Sequence, residues 1–291
     1  MTTWTTPTIA LRFGRGDEAN QLARSALAAQ RTNGGNLPTF DDVLALWPGF
    51  ADAQFAFVGG SVTEGWAHSK SDLDVYVVAD SPIHPDTRIL EVAHRQVDLP
   101  SPDIYICIGQ VAQFRADIEL WTIDQLEQLA SIFDSGTPSQ EVAGVGGAER
   151  DLIYRLTSGT PLTGADFWRQ WRSRFLSGHY RQYLAASKQL VAEGLAEDVA
   201  GMLDSGDVRS AALAAFNGAA TAIEGVLASR GDFCVNRKWL SRRLERLDDL
   251  VPPDTLWSAL SMRDATTDPG RYAASALELT QSLIAIIEDA R

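Results

Sequence analysis

Residues 55–78 read FAFVGGSVTEGWAHSKSDLDVYVV and hold most of the information in the sequence. The apolar run 55–58 predicts a strand that enters a turn at Gly59, Gly60 and Ser61. Glycines leave room for backbone N–H groups to approach an anion, and the residues after the turn are expected to open a short helix, whose N-terminus favours anions. The turn is therefore a candidate cradle for phosphate.

Two carboxylates follow at the start of a second predicted strand, Leu73–Ala79. Ser71 stands ten residues after Ser61 and directly precedes Asp72, and Asp74 follows two positions later. Because side chains alternate along a strand, both carboxylates project from the same face. Hard divalent cations prefer carboxylate and phosphate oxygens. The pattern predicts a Mg²⁺ site opposite the phosphate cradle, with Mn²⁺ as the alternative metal.

A third acid is expected on a neighbouring strand. The stretch RADIELW at 115–121 offers Asp117 and Glu119, which share one strand face. Asp117 is the preferred candidate, and Glu119 stays open as the alternative. Three such carboxylates supply metal coordination and a base for a hydroxyl, as attack on the α-phosphorus of a nucleoside triphosphate requires. The reaction class that this pattern indicates is nucleotidyl transfer.

The combination of these motifs resembles the DNA polymerase β-type nucleotidyltransferase superfamily. The shared features are the Gly-Ser turn, the Ser-Asp-x-Asp strand ten residues later and a later acid between apolar residues. Within the superfamily, the chain is most similar to the aminoglycoside nucleotidyltransferases and related small-molecule enzymes. The resemblance covers residues 50–125 by motif and the rest of the chain only by architecture.

The resemblance implies a role for each matching position. The roles are triphosphate binding for Gly59, Gly60, Ser61 and Ser71, metal binding for Asp72 and Asp74, and the third acid, also a metal ligand, for Asp117. Some drug-modifying relatives carry an Arg shortly after the Gly-Ser turn, where this chain has Glu64. A Lys or Arg of the helical half contacts the triphosphate in similar enzymes, so Lys238 is expected to supply the missing positive charge. Trp66 is a further candidate to flank the nucleotide or the acceptor.

The pattern along the chain predicts an α+β fold, with a nucleotidyltransferase-type mixed sheet and flanking helices followed by an all-α bundle. The boundary is placed in the loop after residue 134, giving a catalytic domain at 1–135, with its N-terminal helices, and a substrate-binding bundle at 136–291. Predicted strands are 55–58, 73–79, 104–108 and 116–121. Predicted helices are 17–31, 40–47, 86–97, 123–133, 147–158, 165–193, 195–204, 207–229, 236–248 and 271–290.

Charge and composition indicate which classes of binding partner the protein can have. With 25 Lys and Arg against 38 Asp and Glu, the net charge of −13 argues against a nucleic-acid substrate and favours a small, cationic acceptor. Two cysteines without close spacing suggest neither zinc nor disulfides. Residues 1–7 lack the features of a secretory signal, and the apolar stretch 211–229 is interrupted by polar residues. A cytoplasmic protein without a membrane span is expected; its oligomeric state is left open.

The expected activity is transfer of a nucleoside monophosphate from a nucleoside triphosphate to a hydroxyl of a small molecule, with release of pyrophosphate. ATP is the expected donor because it is abundant, and antibiotic modification would follow from the family resemblance. Two alternatives stay open within the enzyme class, a nucleotide second-messenger synthase and a protein adenylyltransferase. An alternative from another class is a nucleotide-binding regulator whose transferase activity has decayed.

Overall fold

A computed structural model describes residues 37–134 and 145–290 of the chain. Six strands form a single sheet: β1 Ala53–Gly59, β2 Leu73–Ala79, β3 Glu91–Arg95, β4 Ile104–Val111, β5 Phe114–Thr122 and β6 Thr160–Thr163. All four predicted strands are present, three of them longer than predicted. The strand order is β3-β4-β5-β2-β1-β6. β2 and β5 pair in parallel, and the other neighbours are antiparallel.

The helices lie before and after the sheet. They are α1 Phe40–Leu46, α2 Ile123–Asp134, α3 Gly147–Ser158, α4 Ala165–Ser177, α5 Tyr180–Asp204, α6 Val208–Ser229, α7 Leu240–Arg243, α8 Pro253–Ser261 and α9 Pro269–Asp289, with short 3₁₀ segments between several of them. The predicted fold class, a mixed sheet with flanking helices followed by a helical region, is confirmed. The predicted helix at 17–31 lies outside the described residues.

The sequence-based prediction was wrong at two strands. The helix predicted at 86–97 is wrong, because this segment contains β3, which pairs with β4 and is an edge strand of the sheet that the described residues form. An edge strand can be largely exposed, as β3 is, and its side chains therefore carry little hydrophobic alternation. No strand was expected after Ile123, yet β6 pairs with the other edge of the sheet at β1. Pro161 is compatible with β6 because an edge strand needs fewer N–H donors. The domain boundary near 135 stays a prediction, and β6 joins the second half of the chain to the sheet.

Three predicted helices also differ from those observed. The helix predicted at 165–193 is interrupted between α4 and α5, where the N–H of His179 donates to the carbonyl of Phe133 instead of continuing the helix (3.0 Å). α5 then continues through the stretch predicted as a separate helix at 195–204. The helix predicted at 236–248 is a succession of short 3₁₀ and α-helical turns, and α8 was not predicted.

The sheet separates two apolar cores. One face packs with α1 and Phe50. The other face carries Phe57, Tyr76 and Trp121, which pack against the helical half. Asp74 has the same parity along β2 as Tyr76, so the predicted acids project toward the helices.

The helix α6 is long and apolar enough to cross a membrane by length and composition alone. Most of its apolar stretch is buried inside the protein, 78% by residue, as in the core helix of a soluble protein. This helix is therefore weak support for a membrane span.

We predict that Phe57→Ala lowers the free energy of unfolding by about 3–5 kcal/mol, because it empties a fully buried position whose ring stacks on Tyr76 with centroids 4.9 Å apart. Phe167→Ala is the matched control, since Phe167 is 49% exposed, and it should change the value by less than about 0.5 kcal/mol. Urea unfolding measures both. Equal effects would contradict the assignment of Phe57 to the core.

Candidate functional site

The parallel pairing of β2 with β5 brings the predicted acids together. In this register Asp74 lies opposite Asp117, and Tyr76 lies opposite Glu119. Asp72 directly precedes β2 on the same face as Asp74. The three predicted metal ligands thus lie on one face of two adjacent strands, at the end where β2 begins.

The glycine turn lies beside Asp74. Gly60 has φ +82°, a conformation that favours glycine, and a Cβ there would lie 1.8 Å from Nη1 of Arg155 and 2.2 Å from Oδ2 of Asp74. The chain after Gly60 makes a series of turns, in which the N–H of Glu64 donates to the carbonyl of Gly60 and the N–H of Trp66 to that of Ser61. The expected short helix after the turn is therefore not formed. The close approach of a backbone turn to a carboxylate is the arrangement expected at a phosphate and metal site.

Arginines that the sequence reasoning did not identify neutralise these acids. Arg155, on α3, lies 3.0 Å from Oδ2 of Asp74, and its side chain is only 14% exposed. Its Nε lies 3.2 Å from Oδ1 of Asp151 on the same helix. Arg155 also packs over Gly59 and Gly60. Arg155 therefore provides positive charge beside the turn, and the role expected of Lys238 stays a prediction.

Arg115 neutralises the other two acids. Its Nη1 lies 3.2 Å from Oδ2 of Asp72, and its Nη2 lies 3.5 Å from Oδ1 of Asp117. Arg115 has the same strand parity as Asp117. The parity of Arg115 was therefore a signal available in the sequence.

Glu119, the alternative third acid, lies in a different environment. It is 7% exposed and accepts hydrogen bonds from Arg95 (2.5 Å) and from Nε1 of Trp121 (3.0 Å). Burial raises the pKa of Glu119 to about 7, although the Arg95 guanidinium opposes the shift. Glu119 is thus a buried carboxylate paired with Arg95 and with the indole of Trp121, whereas Asp117 lies directly beside Asp74.

The pKa values of Asp74 and Asp117 are shifted upward. Burial raises the pKa of Asp74, Arg155 lowers it, and the neighbouring carboxylates Asp151, Asp117 and Asp72 raise it further. The pKa of Asp117 is also raised, first by burial and then by Asp72 and Glu91, while Arg115 lowers it. These carboxylates therefore lie where an additional cation would be stabilised.

The donor set suits a hard divalent cation in its chemistry, since it consists of carboxylates. Oδ1 of Asp117 is buried and accepts no hydrogen bond. In residues 37–134 and 145–290, however, no group of three or more His, Cys, Asp or Glu side chains is placed to hold a metal ion. Guanidinium groups of Arg115 and Arg155 instead lie against these carboxylates.

Ser71 lies next to Asp72 in the chain, and Lys238 is linked to the glycine turn through two tryptophans. Oγ of Ser71 accepts the N–H of His68 (2.9 Å) and so shapes the loop before Asp72. Lys238 lies in a 3₁₀ segment, Arg237–Trp239, with its Nζ 5.2 Å from the ring centroid of Trp239. The ring of Trp239 in turn contacts Trp66, close to the glycine turn. Lys238 therefore contacts Trp239, which contacts Trp66 beside the turn.

Glu64, which replaces the Arg of some drug-modifying relatives, has a partner of its own. Arg246 lies 2.9 Å from Oε2 of Glu64 and 2.5 Å from Oδ2 of Asp232. Asp232 also pairs with the fully buried Arg243. This chain of ion pairs joins the glycine turn to the helical half.

No family model and no curated protein matches the chain. Among solved structures, it is similar to a nucleotidyltransferase-like protein from Exiguobacterium sibiricum, with a TM-score of 0.42 and 12% identity over 88% of this chain and 73% of that chain. At this level of similarity, the function has to be argued from the residues of the site.

We predict that Arg155→Gln lowers the free energy of unfolding by about 3 kcal/mol, because it removes the ion-pair partner of Asp74 in a partly buried position. In an Asp74→Asn background, the same change should lower it by clearly less. Urea unfolding of the four proteins in this double-mutant cycle gives the coupling free energy between Arg155 and Asp74. Arg169→Gln, at an exposed ion pair on α4, is the control and should have little effect. Strict additivity of the two changes would contradict a direct Arg155–Asp74 interaction.

Proposed function

We propose that the protein is a metal-dependent nucleotidyltransferase, which transfers a nucleoside monophosphate from a nucleoside triphosphate to a hydroxyl group and releases pyrophosphate. The observation that supports this most directly is the in-register placement of Asp74 beside Asp117, with the glycine turn in contact with Asp74. A glycine turn beside aligned carboxylates suits a polyphosphate substrate with a bound divalent cation.

The proposed chemistry follows from these groups. The acceptor oxygen forms a bond to the α-phosphorus, the bond between that phosphorus and the oxygen bridging to the β-phosphorus breaks, and pyrophosphate leaves. The hydroxyl proton passes to the carboxylate of Asp117, which lies opposite Asp74 across the parallel strand pair. Arg155 beside Gly60 is positioned to bind phosphate oxygens. Ser61, Ser71 and Lys238 are proposed to complete the triphosphate site.

Asp72, Asp74 and Asp117 would hold Mg²⁺, with Mn²⁺ as the alternative. Mg²⁺ bound there would neutralise charge on the phosphates and on the leaving group. Release of Arg115 from Asp72 and Asp117, and of Arg155 from Asp74, would accompany metal binding. The freed guanidinium groups would then be available to the phosphates.

The acceptor is proposed to be a small molecule with a free hydroxyl. Each acid of the site has an arginine partner, so the local charge is more balanced than the net charge of −13 indicates. The structure therefore adds no support for a cationic acceptor beyond the overall charge. Aminoglycosides stay within the panel to be tested, together with neutral and anionic hydroxyl compounds.

The experiment is pyrophosphate release by the purified protein with Mg²⁺ and each of the four nucleoside triphosphates, with and without the acceptor panel. We expect acceptor-dependent release that falls by at least a hundredfold in Asp74→Asn. Asp80→Asn is the matched control, since this exposed carboxylate next to the other end of β2 accepts a hydrogen bond from Gln54 and should be dispensable. Release that survives in Asp74→Asn would show that another site does the chemistry. Release without any acceptor would instead favour a second-messenger synthase.

A second candidate function is supported by a specific observation. All three predicted metal ligands are paired with arginines, an arrangement that also fits a nucleotide-binding regulator without catalytic activity. Such a regulator would bind nucleoside triphosphate and release no pyrophosphate under any condition of the assay. Binding without turnover across the full panel would therefore select the regulator.

A further inference from the structure

A pair of tryptophans lies beside the glycine turn. The N–H of Trp66 donates to the carbonyl of Ser61 at 2.8 Å, so that this residue closes the turn. Its ring centroid lies 5.4 Å from that of Trp239, with 37° between the ring planes. Both residues are partly exposed. The two halves of the chain thus meet in an aromatic surface next to the candidate phosphate site.

The segment that carries Trp239 is unusually basic for this chain. Residues 237–246 contain five of the 25 Lys and Arg residues and a single acid. Nζ of Lys238 and Cζ of Arg242 lie 5.2 and 5.9 Å from the Trp239 ring centroid, and Cζ of Arg246 lies 5.5 Å from that of Trp66. The aromatic pair is therefore surrounded by positive charge.

Two of these charges are available to a ligand. Arg237, Arg243 and Arg246 pair with buried acids of the helical half. Lys238 and Arg242 are exposed and make no ion pair with any residue that the structure describes. Because their side chains extend into solvent, they can leave the indole faces and turn toward an anion. A ligand that combines a flat ring with a negatively charged group matches this arrangement of indole faces and exposed cations.

We propose that Trp66 and Trp239 bind the base of the donor nucleotide, with Lys238 and Arg242 facing the negative charge of its phosphates. An indole face stacks on any base, whereas exposed cations favour an anionic ligand and disfavour a cationic one. The contact between Trp66 and Ser61 places this surface directly beside the turn that would hold the phosphates. The assignment rests on the function proposed above, since it names where that donor's base is held.

The test compares two probes on the full-length protein with Mg²⁺ by isothermal titration calorimetry. The probes are inorganic tripolyphosphate, which has no base, and the nucleoside triphosphate that binds most tightly. Trp239→Ala should weaken nucleotide binding about tenfold and leave tripolyphosphate binding unchanged. Trp239→Phe should restore most of the nucleotide affinity, because a flat ring returns. Trp257→Ala, at an exposed tryptophan on α8, is the matched control and should change neither.

Each outcome decides the assignment. Unchanged nucleotide affinity in Trp239→Ala, or equal weakening of both probes, would overturn it, as would a raised acceptor KM with donor binding intact. Trp239→Leu keeps the apolar volume without the flat ring, and it should reproduce the loss if the alanine variant does not fold. If the wild type binds neither probe, the proposed function itself fails. If it binds both and the tryptophan variants behave as the control does, only the base site fails.

Discussion

Two carboxylates held side by side across a parallel strand pair form the constraint on which the site depends. Adjacent strands are about 4.8 Å apart, so the register that places Asp74 opposite Asp117 keeps two acids close to each other. At about 5 Å and an effective dielectric constant of about 20, two like charges repel by about 3 kcal/mol. The fold must therefore provide positive charge at this position, from its own side chains or from a bound cation.

In the structure that charge comes from arginines on two different elements. Arg115 extends from the same strand as Asp117, and Arg155 comes from α3, a helix of the second half. The second contact couples the sheet to the helices, because the acid face of the sheet is also the face that packs on them. The ion pairs from Glu64 through Arg246 to Asp232 couple the glycine turn to the same helices. The ion pairs of Arg155 and Arg246 thus both compensate charge and join the sheet half of the chain to the helices.

The sequence predicted those features that depend on local periodicity. The shared face of Asp72 and Asp74 follows from the two-residue period of a strand, and the four predicted strands were found. The pairing of β2 with β5, in parallel and with this register, has no local signature, because it is set by packing of the whole sheet. Arg155 could not be identified for the same reason, since a helical residue reaches the site only through tertiary contacts.

The errors also have physical causes. β3 was predicted as a helix because an exposed edge strand needs little apolar alternation. β6 was missed because its four residues are stabilised by pairing with β1 rather than by their own propensity. The carboxylate pattern predicted a metal site but could not show that guanidinium groups lie against each acid. Whether such carboxylates are free to bind a metal depends on ion-pair partners that come from distant parts of the chain.

Direct titration with Mn²⁺, followed by electron paramagnetic resonance, tests most directly whether these carboxylates bind a divalent cation. The account predicts saturable binding by the wild type that is lost in Asp74→Asn. It also predicts tighter binding in Arg115→Gln, by several fold, because a competing positive charge beside Asp72 and Asp117 is removed. Absence of binding in the wild type, or binding that neither substitution alters, would contradict the account.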